Sequence, residues 1–316
     1  MACGIWRQVP GVWSIDNLSM NKIIEHQNDQ SNLDKLSAQR NLYSSAKRWR
    51  NVRFVCCVLV IVVLSVLKSI WSNSTPLAII LALAIFVSLM LGPVFNRQIN
   101  KRRNLAARIQ QLLDTELFDL PWDEYLCGRK PTAEEIYDHK SAKIPEKLKD
   151  WYDKGIGEVQ DMNTAVLLCQ RENMRYDSHI RTSFTKLCKW IALIVCLGIV
   201  VAAILIYKTD VLSVVMFGLI PITPIVRWIQ SVMNEDGKDK DVRDSLESLV
   251  TKEMDIAMKG KPVHVTELKR IQNWMFMHRR DGYLVPDWYY DLCRKKSEDR
   301  AAYSVQDFLE KYRSAK

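Results

Sequence analysis

The side chains best suited to chemistry lie in one polar run, Cys169-Gln170-Arg171-Glu172-Asn173-Met174-Arg175-Tyr176-Asp177-Ser178-His179-Ile180-Arg181. An arginine presents a planar fork of donors that grips phosphate or carboxylate through paired hydrogen bonds, and a tyrosine ring gives a base a surface to stack on. Arg171, Arg175, Tyr176 and Arg181 therefore read either as an anion site or as a solvated helix face held by intrahelical charge pairs. Residue type alone leaves both readings open. Catalytic machinery is harder to find. There is no glycine-rich phosphate loop, no HExxH, no G-x-S-x-G elbow and no Cys/His cluster with zinc spacing. His26, His139, His179, His264 and His278 stand apart from one another and suit surface or packing positions. Asp119, Asp123 and Glu124 gather beside Pro121-Trp122, where capping and turn formation explain them. We expect no enzyme, no metal and no cofactor.

The elements that position this run are set by where the apolar residues fall. The chain has 316 residues, is 48% hydrophobic and 26% charged, and carries a net charge of +9. Those averages hide four almost uncharged blocks: Phe54 to Trp71, Leu77 to Phe95, Trp190 to Tyr207 and Val211 to Ile229. Each approaches the roughly 20 residues that cross a hydrocarbon core about 30 Å thick. Lipid offers no partners to backbone amides, so all four are expected to be helices. Five residues or fewer separate the members of each pair, which makes two helical hairpins. Arg40, Lys47, Arg48, Arg50, Arg53, Arg97, Lys101, Arg102, Arg103, Arg108, Arg171, Arg175, Arg181, Lys186, Lys189, Arg227, Lys238, Lys240 and Arg243 flank one side; only Lys68 and Lys208 flank the other. By the positive-inside rule, both termini and the middle segment are cytoplasmic. Met1 to Pro10 does not look like a signal peptide, so the first span is expected to direct insertion. None of the eight cysteines lies in an outer loop, and free thiols are expected.

Helical periodicity continues out of the membrane through Leu33, Leu36 and Tyr43, through Leu105, Ile109 and Leu112, and through Val166, Leu167 and Ile180. The fold class is all-α: an integral membrane protein with four transmembrane helices in two hairpins, extended into a cytoplasmic helical bundle. The expected organisation is 1–53 cytoplasmic, 54–95 first hairpin, 96–189 middle cytoplasmic region, 190–229 second hairpin and 230–316 C-terminal cytoplasmic region. Residues 120–157 should form a helix-poor cap, Asn234 to Asp241 a solvated linker, and Thr266 to His278 an amphipathic helix. Pro221 and Pro224, with Gly218 nearby, mark either a hinge or a static kink in the fourth span. The interiors of the spans hold no ionisable residue, which argues against a coupled transporter, and any pore would need several protomers.

Several stretches resemble one known family. They are Glu25-His26-Gln27-Asn28 with Leu42-Tyr43-Ser44-Ser45-Ala46-Lys47, then Leu117-Phe118-Asp119-Leu120-Pro121-Trp122, then Cys169-Gln170-Arg171-Glu172-Asn173 with Tyr176-Asp177 and Ile180-Arg181, and finally Arg270-Ile271-Gln272 with Phe276 and Arg279, followed by Val285-Pro286-Asp287-Trp288-Tyr289-Tyr290. With the two hairpins, the chain resembles the SMODS-associated four-transmembrane effectors of bacterial anti-phage (CBASS-type) defence. The resemblance implies an inner-membrane protein that oligomerises and permeabilises the membrane when it senses a cyclic nucleotide made by a neighbouring synthase, causing abortive infection. A cyclic oligonucleotide is then the activator, lipid and further copies of the chain are the partners, and no nucleic-acid polymer is expected. On that reading the anion would meet some of Arg171, Arg175, Arg181, Arg270 and Arg279, stacking on Tyr176 or Trp122. The rival readings are a membrane-anchored receptor or scaffold without a pore and, more remotely, a membrane-bound enzyme.

Overall fold

The computed structural model describes residues 21–71, 73–207, 211–215, 218 and 220–314. A single turn, α1 (Ile23–His26), precedes α2 (Gln30–Phe54), which passes through a π-helical turn at Val55–Leu59 into α3 (Val60–Ile70). Then follow α4 (Thr75–Leu117), the short α5 (Glu124–Cys127) and α6 (Ala133–Tyr137), and two 3₁₀ turns at Glu146–Leu148 and Lys154–Glu158. The chain continues with α7 (Met162–Tyr207), α8 (Val211–Val214), α9 (Ile220–Met258), α10 (Val265–Asp281) and α11 (Asp287–Ser314). Among the described residues there is no strand.

Three helices run unbroken from apolar block into polar body: Gln30–Ile70 with 41 residues, Thr75–Leu117 with 43 and Met162–Ile206 with 45. At 1.5 Å per residue each is about 60–70 Å long, twice the hydrocarbon thickness. The fourth apolar block is only partly described. Pro221 falls in the first turn of α9, where a missing amide donor costs nothing, whereas Pro224 lies inside the helix. Gly218 faces Ala203, and a Cβ there would lie 3.3 Å from the alanine methyl.

Two serines in the spans are satisfied within their own helices, and the Cys57 thiol lies 3.7 Å from Ser88 O of the next span. The Ser65 hydroxyl donates to Ile61 O at 2.7 Å and the Ser88 hydroxyl to Ile85 O at 2.8 Å, as a medium without water requires. Large apolar side chains such as Phe86, Ile194 and Leu205 lie bare on the outside of the bundle. The spans meet one another through Val58, Ala192 and Ile225.

The body's core gathers around Ala165 to Cys169 of α7, against Leu246, Val250 and Met254 of α9 and Leu268, Ile271 and Met275 of α10. Spacing of i, i+3/i+4, i+7/i+8 gives α9 and α10 one apolar face each, whereas α7 is buried on every side over these five consecutive residues. Asn234 to Asp241, expected as a linker, is instead the middle of α9. The buried stripe reads Val232, Asp239, Arg243, Leu246, Val250, which keeps helical period but has two charged members, so an apolar pattern stops short of it.

The turn between α10 and α11 depends on a residue with no side chain. A Cβ on Gly282 would lie 2.6 Å from His278 O, 2.5 Å from Arg181 Nη1 and 2.9 Å from Asp239 Oδ1. Gly237, inside α9, has nothing within 4 Å. Gly282→Ala should therefore destabilise the protein by about 1–3 kcal/mol, while Gly237→Ala should stabilise it by about 0.5–1 kcal/mol. Thermal unfolding of the detergent-solubilised chain reads both signs.

Candidate functional site

The body is organised around a polar centre, with Asp114 of α4 at its middle, 1% exposed. Arg279 Nη1 of α10 lies 2.5 Å from Asp114 Oδ2. Gln272 Nε2 donates to the same oxygen at 2.9 Å and to Gln111 Oε1 at 3.0 Å. Gln170 Nε2 of α7 donates to Gln272 Oε1 at 3.1 Å and to Leu268 O at 3.0 Å. The Tyr152 hydroxyl of the cap donates to Asp114 Oδ1 at 3.2 Å, and its oxygen accepts from Asn173 Nδ2 at 3.0 Å. Gln27 closes the circuit by accepting from Tyr152 N at 2.8 Å. Burial opposes the Arg279 charge, but the Asp114 carboxylate outweighs it and holds the guanidinium above its ordinary pKa. Burial, and then Asp114, push the Tyr152 hydroxyl well above the usual phenol value, so it stays a donor.

A second cluster lies nearer the membrane. His278 Nδ1 is 2.5 Å from Asp239 Oδ1, Arg243 reaches Asp239 at 3.3 Å and Asp236 at 3.1 Å, and Arg181 donates to Tyr283 O. Arg103 donates to Gly282 O at 3.2 Å. Beside it, Asp287 accepts from Lys47 Nζ at 2.6 Å and from Ser44 Oγ at 2.9 Å. These contacts join the start of α11 to α2.

The expected anion-binding arginines occupy four separate places. Arg279 and Arg181 are buried and committed to protein partners, one in each cluster. Arg270 is exposed on the outer face of α10, 3.5 Å from Glu267. It lines a shallow groove with Lys269, Asn273 and Trp274, in which Lys269 and Asn273 both engage Asp123. Trp122 Nε1 donates to Gly128 O at 2.8 Å. Only Arg171 and Arg175 come together: Arg171 Nη1 donates to Ser304 O at 3.2 Å and Arg175 Nη1 to Ser304 Oγ at 3.4 Å, across the seam of α7 and α11. Among the described residues neither has a carboxylate within ion-pair distance. Burial and then the neighbouring Arg175 lower the Arg171 pKa, with Asp307 opposing. Tyr176 lies in α7, and its side chain is outside the described residues. The polar run thus divides by helix face, with Gln170 and Asn173 inward and Arg171 and Arg175 toward α11.

Reasoning from sequence passed over Asp114, Tyr152, Asp239 and the π-helical turn. An acid at helical spacing among buried leucines, as Asp114 stands beside Leu112 and Leu113, was the available signal for the first. His278, expected at a surface or packing position, is buried against Asp239.

Removing one member of a buried pair leaves the other charge uncompensated, which costs about 3–5 kcal/mol. Asp114→Ala should lose about that much, and Asp114→Asn less, because the amide oxygen can still accept from Gln272; chemical denaturation of the purified chain compares them. Glu172, partly buried beside Asp153, is pushed up to about 7 by burial, which the Asp153 amide only partly offsets. The folded state then binds the proton more tightly than the unfolded state, so this residue's contribution to stability declines as pH rises from about 4.5 to 7. Glu172→Gln should gain stability over the parent by at most roughly 3 kcal/mol at pH 8, at 1.36 kcal/mol per pKa unit, and nothing below pH 4. Melting temperatures of both proteins across that range measure the difference.

A family model for the SMODS-associating 4TM effector domain matches residues 21–308. The chain is also 22% identical over 289 residues to a probable CBASS effector molecule of Bacillus cereus strain VD146, covering 88% of this chain and 95% of that protein. No solved structure matches. Since the match takes in both apolar hairpins and the body with its polar centre, the chain belongs to the SMODS-associating 4TM effector family.

Proposed function

We propose that this protein is a membrane effector of bacterial anti-phage defence that assembles into oligomers and permeabilises the inner membrane when a cyclic nucleotide binds its cytoplasmic body. The observation that carries the reading is the continuity of α2–α3, α4 and α7, each a single helical rod from body to span. A change in how these rods pack in the body is carried along continuous helix into the lipid. The bare apolar faces of the spans provide surface for lipid and for neighbouring copies. The basic residues flanking the body side support a cytoplasmic position for both termini, where such a messenger would be made.

The seam between α7 and α11 is the proposed entry for the messenger. Among the described residues, Arg171 and Arg175 present two guanidinium groups whose hydrogen-bond partners are neutral oxygens. A phosphodiester there would neutralise two like charges and accept paired hydrogen bonds. Because α11 closes this seam over the core through Phe308 and Leu309, a ligand that favours a different α7–α11 packing shifts the equilibrium by its differential affinity. Related relatives point the same way: the Bacillus cereus protein is named a probable CBASS effector.

Liposomes loaded with dye and carrying the full chain should leak on addition of one member of a panel of cyclic di- and trinucleotides. Arg171→Ala with Arg175→Ala should abolish that leakage at unchanged membrane insertion. Leakage by the doubly substituted chain at parental nucleotide concentration would remove the seam from the proposal. Silence of the parent chain under every nucleotide, with insertion verified, would favour an anchored receptor.

A further inference from the structure

The Val285 to Tyr290 stretch lies at the level where the helices enter the membrane. Tyr289 packs with Phe184 and Cys188 of α7 and Val232 of α9, in a cluster that also takes in Trp228 and Ile229 at the end of the fourth apolar block. The Trp288 ring is 6.3 Å from that of Phe184, six residues before Trp190 opens the third block. On α2, Asp287 holds Lys47, seven residues before Phe54 opens the first block. At 1.5 Å per residue these offsets put the start of α11 within about 10 Å of the hydrocarbon edge. A headgroup layer occupies roughly the first 5–8 Å of that distance.

At this level the buried face of α11 is Tyr289, while Trp288 is 59% exposed and Leu292 72% exposed. Positions i and i+4 lie one above the other on a helix, so the two form a single outward apolar face. Lys186 and Lys189 of α7 are exposed nearby, between Phe184 and Trp190. A large amphipathic ring beside an aliphatic side chain, flanked by lysines, is the composition that settles into the anionic headgroup layer.

We infer that the first two turns of α11 are a lipid-contacting anchor, with Trp288 and Leu292 seated in the headgroup layer of the leaflet that faces the body. It rests on the helices crossing the bilayer and is independent of whether they form a pore. The seam with Arg171 and Arg175 lies at the other end of the same helix, so α11 touches both the proposed nucleotide site and the membrane.

The test uses the full chain with the photoreactive residue p-benzoylphenylalanine at position 288, 292, 303 or 86, in vesicles of phosphatidylethanolamine and phosphatidylglycerol. Position 86 lies bare in a span and reports lipid; Tyr303, 73% exposed, lies on α11 about four turns further from the membrane. After illumination, intact-mass analysis should find phospholipid adducts at 288 and 292 as at 86, and none above background at 303. Adducts at 86 alone would mean that the start of α11 is in water, and would overturn the anchor. Chain-to-chain adducts at 288 or 292 would assign the face to a second copy and overturn it equally. Absence of adducts at 86 would instead remove the membrane-spanning premise.

Discussion

A carboxylate removed from water must find a positive partner and donors for both oxygens, and Asp114 imposes that demand at the centre of this molecule. Arg279 and Gln272 of α10 and Tyr152 of the cap meet it. The apolar core supplies the drive to pack α4, α7, α9 and α10, since burial of Leu167, Leu246 and Ile271 is indifferent to small sliding of one helix on another. The polar centre is not indifferent. A shift of α10 by one turn would move Arg279 about 5 Å and leave two charges unpaired. The network therefore fixes register where hydrophobic packing sets only proximity. It also ties the loop-rich cap to the helices, because Tyr152 and Gln27 take part in the same circuit.

The spans follow the opposite rule. Among the described residues they hold no buried Asp, Glu, Lys or Arg, and their serines bond back to their own helices, so little that is polar fixes one span against another beyond the weak contact of Cys57 Sγ with Ser88 O at 3.7 Å. Contacts such as Val58 with Ala192 and Ile225 are apolar, and lipid competes for them on nearly equal terms. A rigidly keyed body is joined by continuous rods to loosely keyed spans. Such a molecule can change its membrane arrangement without unfolding, since the parts with the costliest contacts move as units. The π-helical turn at Val55–Leu59 lies where the first rod enters the membrane, and Pro93 interrupts the hydrogen-bond ladder of α4 within its span.

Much of this was legible in the chain. Four apolar blocks, their short connections and the one-sided distribution of Lys and Arg define the hairpins, and helical period outside them marks the all-α body. The short elements between Leu120 and Gly157 match the cap expected from its prolines and glycines. The charged residues were harder to read. Arg279 and Asp114 are 165 positions apart, and a lone arginine on an amphipathic helix looks the same whether it faces solvent or a buried acid. The same ambiguity made Asp239 and Lys240 look like a linker, although Asp239 continues the buried stripe of α9. Gln170 and Arg171 are adjacent in sequence yet point to the core and to α11, a division that follows from 100° per residue only once the core side of α7 is known.

The central claim is that the proposed nucleotide seam and the membrane helices are mechanically one system. Hydrogen–deuterium exchange of the full chain in lipid vesicles, with and without the cyclic nucleotide that triggers leakage, tests it most directly. The account predicts altered exchange both at the seam, in residues 165–181 and 300–312, and in the rods next to the membrane, in residues 45–60 and 96–104, with the segments around Asp114 and Gln272 unchanged. Leakage accompanied by exchange changes confined to the seam, or by loss of protection around Asp114, would contradict it.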